Sequence, residues 1–159
     1  MRLKETMHEL LKKSFEDPIV KILVKNSHLT KIQLETLLID VLAENLLGKP
    51  LKYDEKARLR LTKAKISRGA FNRTLKQAKE NVIKSIYTVL LLGYLGIFET
   101  TTLSAYIEVA NKLQEYIESH KTMASKNLQL EEQLKFLKIL KEELEMSLER
   151  LSEPSKGFM

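Results

Sequence analysis

The chain contains 159 residues, of which 43% are hydrophobic, and its formal net charge is +6. This length and apolar content are enough for one domain with its own core, or for a small domain with an extension. Because cysteine is absent, disulfides and thiolate ligands or nucleophiles are excluded. The histidines, His8, His28 and His120, lack the spacing of metal ligands, and no catalytic motif occurs. We therefore expect neither a cofactor nor an enzymatic activity.

Only five glycines and three prolines interrupt the chain. Its apolar residues follow a helical rather than an alternating spacing, which predicts an all-α fold. We predict a helical domain over residues 1–100 with a helix-turn-helix at about 54–84, a long coiled-coil helix over 101–152, and a frayed tail over 153–159.

Three helices are predicted before the basic part of the chain. The first ends before Pro18, because the residue before a proline avoids the helical conformation, and Pro18 can open the second. Residues 26–28 break the second helix, Thr30 caps the third, and Gly48 ends it. The residues predicted to face the core are Leu3, Met7, Leu10, Leu11, Phe15, Ile19, Ile22, Leu23, Leu34, Leu37, Leu38, Val41 and Leu42.

Acidic residues on the third helix include Asp40 and Glu44, which are four residues apart. That spacing could contribute to a two-metal site, but no Glu-x-x-His pair accompanies it. We therefore expect a solvated helix face and no metal.

The positive charge is concentrated in residues 52–84. This segment has eleven Lys or Arg residues against Asp54, Glu55 and Glu80, a net charge of +8, whereas the rest of the chain sums to −2. Localised positive charge is the electrostatic footprint of a protein that binds a polyanion.

A helix-turn-helix pattern lies within this basic segment. Asp54 is predicted to cap a first helix, residues 64–66 form the turn, and Ser67 caps a second helix that runs to about Lys84. The predicted inward residues are Ala57, Leu61, Phe71, Leu75, Ala78 and Val82. The predicted DNA-binding residues are Lys56, Arg58, Arg60, Lys63, Lys65, Ser67, Arg68, Asn72, Arg73, Lys76 and Gln77.

The outward face of the second helix carries side chains that can read DNA. Arginine binds guanine in a bidentate manner, asparagine and glutamine bind adenine, and lysine neutralises phosphate. Gly69 would allow the backbone to approach the duplex closely. The alternatives are a solvated lysine-rich face, which the arginine, asparagine and glutamine residues argue against, and RNA binding, which the scarcity of exposed aromatics disfavours. Double-stranded DNA is therefore the expected partner.

The pattern Ile66-Ser67-x-x-Ala70-Phe71-x-Arg73-x-Leu75 resembles the turn and recognition helix of the helix-turn-helix superfamily, especially the sigma-factor region that reads the −35 promoter element. In that group a small polar residue opens the recognition helix, and an apolar residue four positions later locks it to the core. Ser67 and Phe71 match these places, whereas Arg60 stands where an apolar residue is usual and Lys65 where glycine is common. The resemblance implies that Arg68, Asn72, Arg73, Lys76 and Gln77 face DNA. With its C-terminal coil and helical N-terminal extension, the whole chain looks more like a small archaeal DNA-binding protein than a sigma factor.

One uncharged run, residues 86–98, follows the basic segment. Its 13 residues are fewer than the ~20 that a membrane-spanning helix needs. We therefore predict a buried core helix that packs beneath the recognition helix, and no membrane association. The N-terminal residues lack the apolar run of a signal peptide, so a cytoplasmic location is expected.

The C-terminal third has a heptad pattern. Apolar residues recur every seven positions at Val109, Tyr116, Met123, Leu130, Leu137, Leu144 and Leu151, and Leu134 and Leu148 belong to a second heptad position. An unbroken helix here would be about 70 Å long and could not bury this stripe against the N-terminal domain alone. We predict a homodimer through these residues, with a hairpin broken near residues 125–127 as the alternative.

These patterns predict a transcriptional regulator or DNA-organising protein that binds duplex DNA as a dimer. The alternative function is a structural adaptor, in which the coil binds a protein and the basic segment binds RNA or an acidic protein partner.

Overall fold

The computed structural model describes residues 3–62, 66–97, 104–125 and 130–152. Side chains in the last two helices are described only in part, which leaves out those of 104–106, 116, 120–125, 130, 133, 147–148 and 150–152. The described residues contain no strand, so the all-α prediction is confirmed. Their helices are α1 (Leu3–Glu16), α2 (Pro18–Lys25), α3 (Lys31–Leu47), α4 (Tyr53–Ala57), α5 (Arg68–Tyr94), α6 (Ser104–Ser125) and α7 (Leu130–Ser152). Within these ranges, no helix combines the length and apolar character needed to cross a membrane.

The first three helices begin and end where their capping residues predict. Asp17 precedes Pro18, and its carboxylate accepts hydrogen bonds from the backbone of Ile19 and Val20 at 2.8 and 3.1 Å. Thr30 and Gln33 form a reciprocal capping box at the start of α3. Gly48 ends this helix in the left-handed region, with φ of 62°.

The chain divides into two compact units, residues 1–86 and 87–159, and the boundary falls within α5. In the first unit, α1 packs against α2 and α3, and α3 packs against α4. Its core gathers buried side chains from α1, α3, α4 and α5 and from the segment after α4: Met7, Leu11, Ile39, Ala43, Ala57, Leu59, Phe71 and Leu75. Burying one large apolar side chain of this kind contributes about 1.5–3 kcal/mol, so Phe71 and Leu75 hold the first turns of α5 firmly to this core.

The buried face of α3 differs from the prediction. The sequence predicted an all-leucine and valine face, but Val41 is exposed and the leucines are only partly buried. The fully buried residues of α3 are Glu35, Thr36, Ile39 and Ala43. The apolar pattern misled because two polar side chains of this helix have partners in the interior, which offset the cost of burying them.

The helices around the predicted turn also differ from expectation. Lys52, not Asp54, precedes α4, which ends at Ala57 after five residues. Ten residues, 58–67, therefore separate α4 from α5, more than the three or four of a compact helix-turn-helix. The second helix does not end near Lys84 but continues to Tyr94 as one helix of 27 residues.

The uncharged run 86–98 is not the separate buried helix that the sequence predicted. Its residues up to Tyr94 extend α5, and several large side chains, Tyr94 most of all, are exposed within the chain. Val82, predicted to face inward, is also exposed. Phe98 lies outside the described residues.

In the second unit, the single helix predicted over 101–152 is instead two helices, α6 and α7, that contact each other. The hairpin alternative matches this arrangement. Leu140 and Leu144 are buried and Val109 and Leu137 are half-buried, whereas Leu134 is exposed. The heptad pattern did not include Leu140. This residue lies three positions after Leu137 and four before Leu144, which places all three on the same face of the helix. The side chains of Tyr116, Met123, Leu130, Leu148 and Leu151 lie outside the description.

Candidate nucleic-acid interface

The first turn of α5 forms as the sequence predicts. Ser67 caps it, because its hydroxyl accepts a hydrogen bond from the backbone of Ala70 at 3.1 Å. The Ser67 carbonyl accepts the first helical bond, from Phe71 at 3.0 Å. Phe71, Leu75 and Ala78 are buried, so one side of this half of α5 is fixed against the core and the other side is free for a partner.

Of the five residues of α5 predicted to face DNA, Arg73, Lys76 and Gln77 lie on that other side, and Arg68 and Asn72 flank them. Arg68, Asn72, Arg73, Lys76 and Gln77 are all exposed. Of these five side chains, only Lys76 forms an ion pair within the described part of the chain. It is a long contact of 4.0 Å to the exposed carboxylate of Glu80. Exposed pairs at this spacing contribute little, so Lys76 can exchange Glu80 for a phosphate at small cost.

Lys56 is not a surface contact, and its prediction as a DNA-binding residue is wrong. The residue is only 3% exposed. Its ammonium lies 2.6 Å from a carboxylate oxygen of Asp40 and 2.6 Å from one of Glu44. Burial disfavours the charged amine, but these two carboxylates outweigh burial and raise the pKa of Lys56 above its ordinary value.

Asp40 joins α3 to both α4 and α5, so it does not lie on the solvated face that the sequence predicted. Its second oxygen accepts a hydrogen bond from Lys79 at 2.9 Å. Burial alone would raise the pKa of Asp40, but the hydrogen bonds and charges of Lys56 and Lys79 dominate and lower it. No group of three or more metal-binding side chains occurs among the described residues.

Arg60 is the second predicted DNA contact that the structure contradicts. It is 4% exposed, and its guanidinium donates to the carbonyl of Ile32 at 2.9 Å and to the hydroxyl of Thr36. Its Nε lies 3.8 Å from a carboxylate oxygen of Glu35. Burial lowers the pKa of Arg60, and the charge of Glu35 offsets part of that effect.

Glu35, fully buried, organises the segment that follows α4. Its carboxylate accepts hydrogen bonds from the backbone of Leu61 and Thr62 and from the Thr62 hydroxyl. His8 of α1 hydrogen-bonds the carbonyl of Arg60 at 3.2 Å. Arg60 and Glu35 together fix residues 60–62, where the chain leaves α4 for α5.

The basic segment is therefore less positive at its surface than its composition indicates. Glu35, Asp40 and Glu44 of α3 contribute three negative charges to it, which reduces its net charge from +8 to +5. One sequence signal pointed to Arg60, since it occupies a position where helix-turn-helix proteins usually have a core residue. No comparable signal marked Lys56.

A surface cleft of about 460 Å³ lies beside the start of α5. It is lined by the exposed cations Lys52 and Arg68, by the ion-paired Lys56 and Glu44, and by Leu51 and Tyr53. Lys52 and Tyr53 were not among the predicted site residues. Arg58, which was, is exposed, whereas Lys63 and Lys65 lie outside the described residues.

Comparison of the chain with protein-family models, curated proteins and solved structures finds no match. The resemblance to the helix-turn-helix superfamily thus stays a prediction from residues 66–75.

Proposed function

We propose that the first unit binds duplex DNA, with the first half of α5 as its recognition helix. The observation that carries this proposal is the composition of the exposed surface of α5, whose opposite side is packed against the core. Arg73, Lys76 and Gln77 lie on the outward side, flanked by the exposed Arg68 and Asn72, while Phe71 and Leu75 anchor the inward side.

The side chains on this surface are of two kinds, those that can contact bases and those that can contact phosphates. Asn72, Arg73 and Gln77 can form bidentate hydrogen bonds with base edges, which an α-helix reaches in the major groove. Lys76 and Arg68 supply positive charge to phosphates, as do two exposed cations outside α5: Lys52, which lines the cleft beside Arg68, and Arg58, which directly follows α4. Lys56 and Arg60 are internal and take no part.

The number of phosphate contacts gives the first test. We expect affinity for a DNA duplex to fall with salt, with log K decreasing by about 0.9 per phosphate neutralised when plotted against log salt. Anisotropy titrations of a labelled duplex with the full chain measure this slope. A flat salt dependence, or absence of binding at low salt, would contradict the proposal.

Sequence readout gives the second test, after a preferred site has been selected from random duplexes. Arg73→Ala should reduce discrimination between that site and a random duplex by about 1–3 kcal/mol, whereas Arg58→Ala should weaken both about equally. Lys21→Ala is the matched control, because it removes one exposed cation from α2. Equal effects of Arg73→Ala and Arg58→Ala would show that α5 does not read bases. Tighter binding to single-stranded RNA than to either duplex would favour the adaptor function instead.

A further inference from the structure

An apolar stripe runs along the last turns of α5, at the start of the second unit. Tyr87, Leu90, Leu91 and Tyr94 follow the spacing i, i+3, i+4, i+7, which places them on one side of the helix. All four are exposed, Tyr87 to 69% and Tyr94 to 84%. Val89, Leu92 and Gly93, on the other side, are buried or half-buried.

This part of α5 has no charged face. Residues 85–97 contain no Lys, Arg, Asp or Glu. Helices that lie on a membrane surface present a strongly polar or charged side to water, whereas helices that are apolar all round occur in protein interiors. The stripe therefore fits a protein partner that covers it.

The order of residues along the stripe identifies that partner. Residues 87–94 read Tyr-Thr-Val-Leu-Leu-Leu-Gly-Tyr, and the order is nearly the same in reverse. When two such helices are related by a two-fold axis between residues 90 and 91, each residue faces a residue of the other copy. The two residue numbers of each facing pair add up to 181. Tyr87 then faces Tyr94 of the other copy, and Leu90 faces Leu91. A two-fold interface requires this self-complementarity, since the same surface supplies both halves.

We propose that a second copy of this chain covers the stripe, through an antiparallel pair of α5 helices centred between Leu90 and Leu91. The exposed parts of the four stripe residues amount to roughly 500 Å² per copy. Pairing would bury roughly 1,000 Å² in total, the area that a specific interface should reach. The contact between α6 and α7 already covers part of the heptad face to which the sequence assigned dimerisation, so the α5 stripe replaces it in that role.

Cysteine cross-linking tests the geometry directly, because the chain has no cysteine of its own. A mixture of the Tyr87→Cys and Tyr94→Cys variants should form a disulfide-linked dimer on mild oxidation. Each variant alone should cross-link poorly, because in an antiparallel pair the two copies of position 87 lie about 10 Å apart along the helix axis, beyond the Cα separation of about 7 Å that a disulfide spans. Efficient cross-linking of Tyr87→Cys with itself would indicate a parallel pair and overturn the proposal.

Sedimentation of the full chain tests the assembly. The wild type should sediment as a dimer at micromolar concentration, and Leu90→Asp as a monomer with unchanged helical content. Leu134→Asp is the matched control, an exposed leucine on α7, and should remain dimeric. A monomeric wild type would overturn the proposal, as would dissociation by Leu134→Asp but not by Leu90→Asp. If the wild type is monomeric and also binds phosphatidylcholine–phosphatidylglycerol vesicles, a lipid surface and not a second copy covers the stripe.

Discussion

Two pairs of cations in the basic segment occupy opposite environments. Lys56 and Arg60 are buried and bound to carboxylates of α3, whereas Arg68 and Arg73 are exposed on α5. The sequence presents all four as members of one positive run. The contrast shows that a count of Lys and Arg measures the charge of a segment, and that the charge a ligand meets depends on which cations have internal partners.

The ion pairs of the buried cations hold in place the helix that carries the exposed cations. Lys79 and Lys56 both bind Asp40, which ties α4 and the middle of α5 to α3. Arg60 and Glu35 hold the chain where it leaves α4. A recognition helix must keep its side chains in register with the bases, so a rigid attachment behind it favours readout.

The largest effect that separates the two sets is expected from Arg60→Ala. Glu35 would lose its cation in the interior, and breaking a buried pair in this way typically costs about 3–5 kcal/mol of unfolding free energy. Arg73→Ala is the matched control, and its exposed side chain should change stability by no more than about 0.5 kcal/mol. Urea unfolding followed by circular dichroism measures both. The comparison fails if Arg73→Ala destabilises the chain as much as Arg60→Ala.

A smaller effect is expected from acid, through Asp40. Its pKa is lowered in the folded chain, so its stabilising contribution is present above the pKa of the unfolded state and is lost as the pH falls through the folded value. Asp40→Asn should therefore be less stable than the wild type at neutral pH, by about 1–3 kcal/mol for hydrogen bonds to a charged group. The difference should shrink as the pH falls from neutral through the lowered pKa of Asp40.

Unfolding of both proteins across this pH range tests the sign. Glu9→Gln, which changes an exposed carboxylate of α1, should follow the wild type. A stability difference for Asp40→Asn that stays constant down to pH 2 would show that the ion pairs with Lys56 and Lys79 are not its cause.

The parts of the fold that local chemistry determines could be predicted from the sequence. Thr30, Gly48 and Ser67 cap or end their helices as expected, because capping depends on residues within one turn. The burial of Phe71 and the exposure of Arg73 followed from helical spacing. Ser67, Phe71 and Arg73 define the candidate interface, and they lie within seven residues of one another at the start of α5.

Features that depend on contacts between distant residues could not be predicted. Glu35 and Arg60 look like surface residues until α3 and the segment after α4 are brought together, because the hydrogen bonds and the opposite charge that offset their burial come from residues far apart in the sequence. The continuation of α5 past Lys84 was missed for a related reason. An apolar run has the same composition whether it forms a separate core helix or extends an exposed one.

The smallest effect, and the one that separates fold from function most sharply, concerns Gly69 in the first turn of α5. A Cβ added at this position would meet no atom within 4 Å, and the backbone there is not left-handed. The fold therefore does not need glycine, and Gly69→Ala should raise stability by about 0.5–1 kcal/mol, the difference in helix propensity. If α5 lies against a duplex as we propose, the added methyl group should lower DNA affinity even as the protein becomes more stable. Thermal unfolding and anisotropy titrations of the same preparation measure the two changes. Higher stability with unchanged affinity would mean that the backbone at Gly69 does not approach DNA closely, and would move the contact towards Arg73 and Lys76.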